Sequence, residues 1–580
     1  MCGIVGITGN KQVAPILVEG LKRLEYRGYD SAGISVANGG IKTVKCPGKI
    51  SALEVAMIGA DLTGTCGIAH TRWATHGPPS QVNAHPHMDS DSRIAVVHNG
   101  IIENFQVLKH QLVKSGYEFC SETDSEVLAH LIREFYDGNL EEAVRRVLEL
   151  VEGTYGIAAI HSDEPDKIVG ARRGSPLVVG VGEGSNYLAS DVAAILGETR
   201  KVIYLDDGEM VTLTPDSVVT TSVANELIDK EVQEIHWDLE QIQKGGFPHF
   251  MLKEIYEQPE TIKNAYRGRI LPETGDVKLA GLRLTEWELR NIRRIIILAC
   301  GTSWHAGLVG EYLIEEYAGI PVEVEYASEF RYRSPVIEPG TLCLTISQSG
   351  ETIDTLEAMR EAKRRGAKVL GITNVVGSTI ARETDGGIYI HAGPEIGVAS
   401  TKAFTSQLTA LFLLTLFLGQ VRKTISPEKS RELAKALVEL PAVIEKDLPR
   451  LQDRMDEIAE EFSRSRDFLY LGRGANFPIA LEGALKLKEI SYIHAEGYAA
   501  GELKHGPIAL IDRDMPVLAL APKDSVYSKL ISNVEEVKAR HGRIILVGSE
   551  TDKNLAAMSD YVIYMSDTHE ELTPILYSIP

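Results

Sequence analysis

The feature that most limits what this chain can fold into is a repeat in its C-terminal half. Four apolar, strand-like runs at Ile295–Ala299, Thr341–Ser347, Ala367–Thr373 and Gly386–His391 recur at Phe468–Gly472, Pro516–Pro522, Arg543–Gly548 and Tyr561–Ser566. The start-to-start offsets are 173, 175, 176 and 175 residues. Agreement this close describes a duplicated domain. Helical patterns such as Ile353–Arg365 and Val526–Arg540 separate the runs. Strands alternating with helices predict a parallel, helix-flanked sheet in each copy, with ligand sites at the C-terminal ends of the strands.

In the first copy the second run leads straight into Ser347-Gln348-Ser349-Gly350-Glu351-Thr352 and then a helix. Hydroxyls, backbone N–H groups and a glycine at a helix start form an anion cradle. An ordinary N-cap needs one hydroxyl; three favour a phosphate. Cys300-Gly301-Thr302-Ser303 follows the first run in the same way and is expected to face the same ligand. No Walker lysine or G-x-G-x-x-G is present, which argues against a nucleotide. The second copy reads Pro522-Lys523-Asp524-Ser525-Val526 at the equivalent place, and an acid there is a poor phosphate ligand. It carries instead Leu481–Glu489 and Gly501-Glu502-Leu503-Lys504-His505-Gly506-Pro507. Lys486 and Glu489, three apart, share a helix face. As a surface pair they would be worth a few tenths of a kcal/mol; beside a sugar phosphate, a carboxylate, a lysine and a histidine can move protons between adjacent carbons. His505, before Gly-Pro, is expected on a loop.

The first third, to about Leu213, is built differently. Short β-branched runs punctuated by glycine (Gly3–Ile7, Ala32–Ala37, Gly67–Ala69, Ile94–His98, Gly156–His161, Leu177–Val181, Tyr187–Ala189) and two clearer helices, Val13–Leu24 and Ser125–Glu134, predict a layered α+β domain with largely antiparallel sheets. Asp238 to His249, polar and then broken by Gly-Gly and Pro, reads as a linker, with a helix from Met251 to Tyr266 after it. Cys2 directly follows the initiator Met. Removal of that Met would put a thiol and an α-amine on one carbon, a nucleophile with its own base; the plainer alternative is a small buried thiol. The polar clusters of this third meet the needs of a glutamine amidase. Arg72 can fork onto the substrate carboxylate, Asp124 can hold its ammonium, and Asn99 with the Gly100 N–H can serve an oxyanion. His70, His76, His85, His87 and His98 have no Glu or Cys at ligand spacing among them, so no metal site is expected.

Composition sets the remaining bounds. A net charge of -21 argues against general nucleic-acid or anionic-membrane binding. Six scattered cysteines without a C-x-x-C pair read as reduced thiols of a cytoplasmic protein. No signal peptide is read before Cys2. The longest apolar run, Leu408 to Leu418, is too short to span a bilayer and is expected to be a buried helix.

Cys2-Gly3-Ile4-Val5-Gly6, Tyr26-Arg27-Gly28-Tyr29-Asp30-Ser31, His70-Thr71-Arg72-Trp73-Ala74-Thr75-His76-Gly77 and His98-Asn99-Gly100 resemble the class II glutamine amidotransferase domain. The C-terminal half, through Cys300–Ser303, Ser347–Thr352, Gly397-Val398-Ala399-Ser400-Thr401-Lys402 and Ala480–Pro507, is similar to the sugar isomerase (SIS) family. In this order the two resemble the glutamine–fructose-6-phosphate aminotransferase family over essentially the whole chain, without the long insertion of its eukaryotic members. The resemblance implies an N-terminal nucleophile hydrolase sandwich (1–240), a linker and leading helix (241–284) and two flavodoxin-like SIS domains (285–425 and 455–580). It implies Cys2 as nucleophile, Asn99 and Gly100 as oxyanion hole, and Arg72, Trp73, Thr75, His76, Gly77 and Asp124 around glutamine, with Trp73 gating an ammonia channel. Thr302, Ser303, Ser347, Gln348, Ser349, Thr352, Val398 and Ser400 would hold fructose 6-phosphate. His505 would assist ring opening across a homodimer interface, and Glu489, supported by Lys486, would transfer the proton that yields glucosamine 6-phosphate, the first step of hexosamine synthesis. No metal or redox cofactor is implied.

One departure is expected to matter. The family continues past Ile575–Pro580 into a tail that supplies a lysine to the sugar site, and this sequence stops at Pro580. The expectation is a chain competent in glutamine hydrolysis and impaired in synthesis. Other classes fit less well. A sugar-phosphate-sensing regulator would need a basic DNA-binding module in place of the Cys2 domain. A phosphoribosyl amidotransferase or an asparagine synthetase would need a diphosphate or ATP motif downstream.

Overall fold

A computed structural model of the chain describes residues 2–25, 28, 30–235 and 243–580. It divides into two compact units, Met1–Gln243 and Lys244–Pro580. Of the expected linker, residues 238–242 lie outside the described residues.

Two antiparallel sheets make the first unit. In the eight-stranded sheet Gly3–Gly9 lies between Ser185–Ala189 and Cys66–Arg72; in the six-stranded one Ile94–Ile102 pairs with Gly153–His161. Alternation along Gly3–Gly9 explains the layers. Ile4 enters a core with Ile68, Val97, Ala158 and Leu188, which come from both sheets. Val5 points the other way, against Gly20 of the helix Val13–Leu24. The outer face of the second sheet is covered by Glu126–Phe135 and Leu140–Leu150, whose Val127, Leu128, Ala143 and Val147 pack on Val96 and Ile157. The α+β sandwich is the one expected from sequence. Three helices go beyond that expectation: Ile50–Ala56, Phe105–Lys114 and Leu140–Leu150. The last carries a legible signal, apolar residues at 140, 143, 144, 147 and 148 behind Asn139, whose side chain accepts from Glu141 N at 3.1 Å.

The second unit holds two five-stranded parallel sheets of one topology. The first runs Val322–Tyr326, Arg294–Ala299, Thr341–Ser347, Lys368–Thr373, Gly386–Tyr389 across the sheet; the second runs His494–Ala499, Asp467–Gly472, Pro516–Ala521, Arg543–Ser549, Tyr561–Met565. In sequence order each reads 2-1-3-4-5, the flavodoxin-like arrangement, whose crevice opens where the first and third strands part. Cys300 and Ser347 leave the sheet at that point. The edge strands at 322 and 494, 172 residues apart, extend the duplication beyond the four runs read from sequence.

A shared core joins the copies: Leu414, Ile444, Ile563 and Leu576 belong to one cluster. Its axis is the helix Lys402–Arg422, long and apolar enough at 21 residues to cross a membrane, with 83% of its apolar window buried inside the protein. It is longer than the expected run, so burial, rather than insufficient length, marks it as a core helix. The helix Phe250–Tyr266, expected from Met251, packs alongside it.

Candidate active site

Two sites are built, one in each unit. In the first, Cys2 immediately precedes Gly3–Gly9, and the pairing of Gly3 with Thr71 brings the end of the neighbouring strand beside it. The Trp73 N–H donates to Cys2 Sγ at 3.2 Å, and the thiol faces Trp73 O at 3.5 Å. Cys2 is partly exposed as a residue, but its sulfur is desolvated: burial pushes the thiol pKa up, against the Trp73 N–H that pulls it down. A thiol held protonated needs a base before it can attack.

Asn99 and Gly100 come from the other sheet. Asn99 Nδ2 donates to Cys2 O at 3.1 Å, and its Oδ1 is held by His70 Nε2 at 3.0 Å. Gly100 has φ +129°, and a Cβ there would lie 2.1 Å from Thr154 O, so only glycine fits this strand position.

Arg72 ends the strand Cys66–Arg72 and folds the next turn beneath itself. Its Nη2 donates to His76 O and, at 3.2 Å, to Gly77 O. Its Nη1 is buried without a hydrogen-bond partner. A buried cationic donor left open is what a substrate carboxylate requires. Trp73 is 46% exposed on this turn. His76 Nδ1 lies 3.3 Å from Thr75 Oγ1 and 3.9 Å from Asp124 Oδ1. Asp124 is buried and accepts from Ile102 N at 2.8 Å.

Of the Tyr26–Ser31 motif, Tyr26, Arg27 and Tyr29 lie outside the described residues. Its Gly28 O accepts from Thr71 Oγ1, Asp30 N donates to Arg72 O at 3.1 Å, and Asp30 Oδ2 accepts from Ala74 N. The motif therefore shapes the 71–74 segment. The histidines behind the site form a neutral stack. Burial pushes His70 down to about 3 and lowers His85, His87 and His98 as well. His70 and His85 have ring centroids 4.2 Å apart. Among the described residues, no group of three or more His, Cys, Asp or Glu is placed to hold a metal ion.

In the second unit Ser347 Oγ accepts from Gly350 N at 3.0 Å and lies 3.1 Å from Thr352 Oγ1, while Ser349 Oγ accepts from Glu351 N at 3.1 Å. Thr352 does not cap the helix Ile353–Arg364 with its side chain. The hydroxyls order the turn before the helix and leave its first N–H groups uncapped by the Thr352 side chain, which fits an anion better than a simple cap. Gln348 is half-buried in the same turn. Ser303 is buried and its Oγ accepts from Gln407 Nε2 at 3.0 Å. Val398 is 46% exposed. Ser400 Oγ donates to Glu395 Oε2 at 2.7 Å. The start of this loop is held by Glu254 of the helix Phe250–Tyr266, which accepts from Ile396 N at 2.5 Å and Gly397 N at 3.0 Å. Burial and the charge of Glu395 raise Glu254 to about 8.

Lys486 and Glu489 do share a face, on the helix Phe477–Ser491, with Nζ and Oε2 2.7 Å apart. The pair belongs to a larger cluster. Lys486 Nζ also donates to Thr302 Oγ1 at 3.0 Å and lies 3.2 Å from Glu482 Oε1. Thr302 Oγ1 donates to Glu482 Oε1 at 3.0 Å, and His305 Nδ1 is 2.6 Å from Glu482 Oε2. Burial alone would raise Glu482, but Lys486 and His305 outweigh it and hold its carboxyl below the usual range. Lys486 is likewise raised, its two carboxylates overcoming burial. His505 does not join the cluster. It is exposed at the end of a 3₁₀ turn, Ala500–His505, rather than on the expected irregular loop, and makes no hydrogen bond or ion pair to Thr302, Lys486 or Glu489.

Comparison with known proteins assigns both units. Residues 70–197 match the glutamine amidotransferase domain family, and residues 288–416 and 461–580 the SIS domain family. The chain is 54% identical over 591 residues to glutamine–fructose-6-phosphate aminotransferase [isomerizing] of Chlorobaculum tepidum, covering 100% of this chain and 95% of the relative. It belongs to the glutamine–fructose-6-phosphate aminotransferase family. The Aquifex aeolicus member is 51% identical over 581 residues, with the same coverages of 100% and 95%. The solved C-terminal domain of the Francisella tularensis member, 42% identical, superposes with a TM-score of 0.56 over 58% of this chain and 94% of that one.

Against this family background, sequence reading missed Glu482, His305, Glu395 and Glu254. Glu482 had a signal, four residues before Lys486 in the quoted motif. At the equivalent place in the second copy, burial raises Asp524 to about 6, and Ser525 Oγ donates to Glu570. That is an acidic environment, unlike the Ser347–Thr352 turn.

Proposed function

We propose that the chain transfers the amide nitrogen of glutamine to fructose 6-phosphate, giving glutamate and glucosamine 6-phosphate. Arg72 takes the glutamine carboxylate on its open Nη1, and Asp124 with His76 faces the ammonium. Cys2 Sγ, deprotonated by its own α-amine once Met1 is removed, attacks the amide carbon. The oxyanion falls to Asn99 Nδ2 and the Gly100 N–H. Ammonia leaves, the thioester is hydrolysed by water, and Trp73 closes the exit toward the ammonia path. In the second unit the Ser347–Thr352 turn, with Thr302, Ser303, Val398 and Ser400, binds the sugar phosphate. Ammonia adds to the C2 carbonyl with loss of water, and Glu489, polarised by Lys486, carries the proton from C1 to C2. His505 opens the ring, reaching the site from a second copy of the chain in a cytoplasmic homodimer.

The observation that carries the reading is the Asn99 amide donor resting on Cys2, with a buried, unpartnered Arg72 nitrogen alongside. The test incubates the chain with glutamine and fructose 6-phosphate and measures glutamate and amino sugar separately, in the unmodified protein and in Cys2→Ala. Both products are expected from the first, in place of the impaired synthesis expected from the sequence, and neither from the second. Glutamate release that survives Cys2→Ala refutes the assignment.

A further inference from the structure

Glu482 is held on both of its oxygens in the sugar site, yet the proton transfers above do not use it. Its carboxylate is buried between two helices, Gly301–Ala318 of the first copy and Phe477–Ser491 of the second. Oε1 accepts from Thr302 Oγ1 at 3.0 Å and faces Lys486 Nζ at 3.2 Å. Oε2 meets His305 Nδ1 alone, at 2.6 Å. An ionised carboxylate only accepts, so His305 must carry its proton on Nδ1.

The bonds have a direction. Lys486 donates to Thr302 Oγ1, which leaves the Thr302 hydrogen to point at Glu482. Lys486 Nζ also forms ion pairs with Glu482 Oε1 at 3.2 Å and Glu489 Oε2 at 2.7 Å, so two carboxylates compete for its charge. His305 satisfies the one oxygen of Glu482 that Lys486 does not reach. Without it, a buried carboxylate oxygen would stand unpaired. The least costly repair turns Glu482 onto Lys486 and draws the ammonium from Glu489, 2.7 Å away.

We propose that His305 is a positioning residue for the sugar half-reaction: its Nδ1–H anchors Glu482, and the anchored Glu482 leaves Lys486 free to hold Glu489 in place for proton transfer. This rests on the sugar-site reading above. The side chains bear it out in their exposure, 12% for His305, 6% for Glu482 and 16% for Lys486, so water is a poor substitute donor. The ring is packed edgewise on Trp304, with centroids 5.5 Å apart.

The test measures amino-sugar formation and glutamate release in the same samples for His305→Leu, His305→Asn and His305→Gln, with thermal unfolding as the check on folding. His305→Leu is expected to lower kcat for amino sugar by about tenfold to a hundredfold, as for loss of a hydrogen bond to a charged group. KM for fructose 6-phosphate should move by about twofold or less and glutamate release should be unchanged. His305→Asn, which puts an amide N–H close to the Nδ1 position, should restore kcat to within about threefold of the unmodified chain. Gln, with its amide one bond farther out, should not. If His305→Leu does not fold, the Asn–Gln comparison decides. Unchanged kcat in His305→Leu, or equal rates for Asn and Gln, overturns the role of His305. Absence of amino sugar from the unmodified chain overturns the functional reading itself, and this role with it.

Discussion

Gly350 offers a perturbation whose effect can be divided into parts. It sits in the sugar-phosphate turn with φ +66°, and a Cβ there would lie 2.0 Å from Ser378 Oγ and 2.5 Å from Ser378 Cβ. Gly350→Ala therefore carries two costs. The left-handed conformation costs about 1–2 kcal/mol for a residue with a Cβ. Overlap with the fully buried Ser378 adds about 1–3 kcal/mol, and relief of that overlap must displace the turn. Loss of one hydrogen bond to a phosphate corresponds to roughly a tenfold to hundredfold weaker affinity. Ser378 makes the partition measurable. Its Oγ has no hydrogen-bond partner and does not cap the helix Thr379–Glu383 that it precedes, so Ser378→Gly alone should cost only a few tenths of a kcal/mol. In the double variant the overlap is gone and the conformational cost stays. Titration calorimetry with fructose 6-phosphate should show a large loss in Gly350→Ala, recovery of about tenfold or more in the double variant, and little change in Ser378→Gly. The reasoning fails if Gly350→Ala binds normally, or if Ser378→Gly gives no rescue.

Two further outcomes follow from the first unit. Arg72→Lys keeps the charge but cannot brace His76 O and Gly77 O while leaving a second nitrogen open; kcat/KM for glutamine should fall by about 2–4 kcal/mol, roughly thirtyfold to a thousandfold, mostly in KM. A KM within the error of the unmodified enzyme would contradict the carboxylate role. The buried histidines set a pH dependence. His70 is held at about 3 against 6.5 in the unfolded chain, with His85 lowered in the same direction. The unfolded state therefore takes up more protons as pH falls, so stability is full above about 6.5 and is lost toward about 3, by about 1.4 kcal/mol per pH unit for each such histidine. His85, neither of whose ring nitrogens has a partner, should be replaceable: His85→Leu is expected to flatten the acid limb of a denaturation series, and an unchanged slope would count against the assignment.

Much of this was legible in the chain because its signals are local. The duplicated strands are apolar runs ending in turn residues, and Lys486 and Glu489 are three residues apart on one helix. What escaped is edge structure and long-range pairing. Val322-Glu323-Val324-Glu325-Tyr326 alternates with charge because an edge strand is half-solvated, and it lacks the unbroken apolar run of a central parallel strand. His305 and Glu482 are 177 residues apart, and Glu254 lies 142 residues from the Ile396 N–H it holds. No spacing rule reaches across such gaps; only the packing of the two copies and of the leading helix brings these groups together. His505 stood out in sequence as a functional histidine, but within one chain it remains exposed and apart from the cluster.

The central claim is that one chain joins two chemistries, with nitrogen released at Cys2 ending on the sugar. Glutamine labelled with ¹⁵N in its amide, supplied with fructose 6-phosphate and an excess of unlabelled ammonium, tests it directly by mass spectrometry of the products. The account predicts amino sugar carrying the glutamine label above the level set by the ammonium pool. Label found only as free ammonium, or amino sugar no richer in ¹⁵N than that pool, would contradict it.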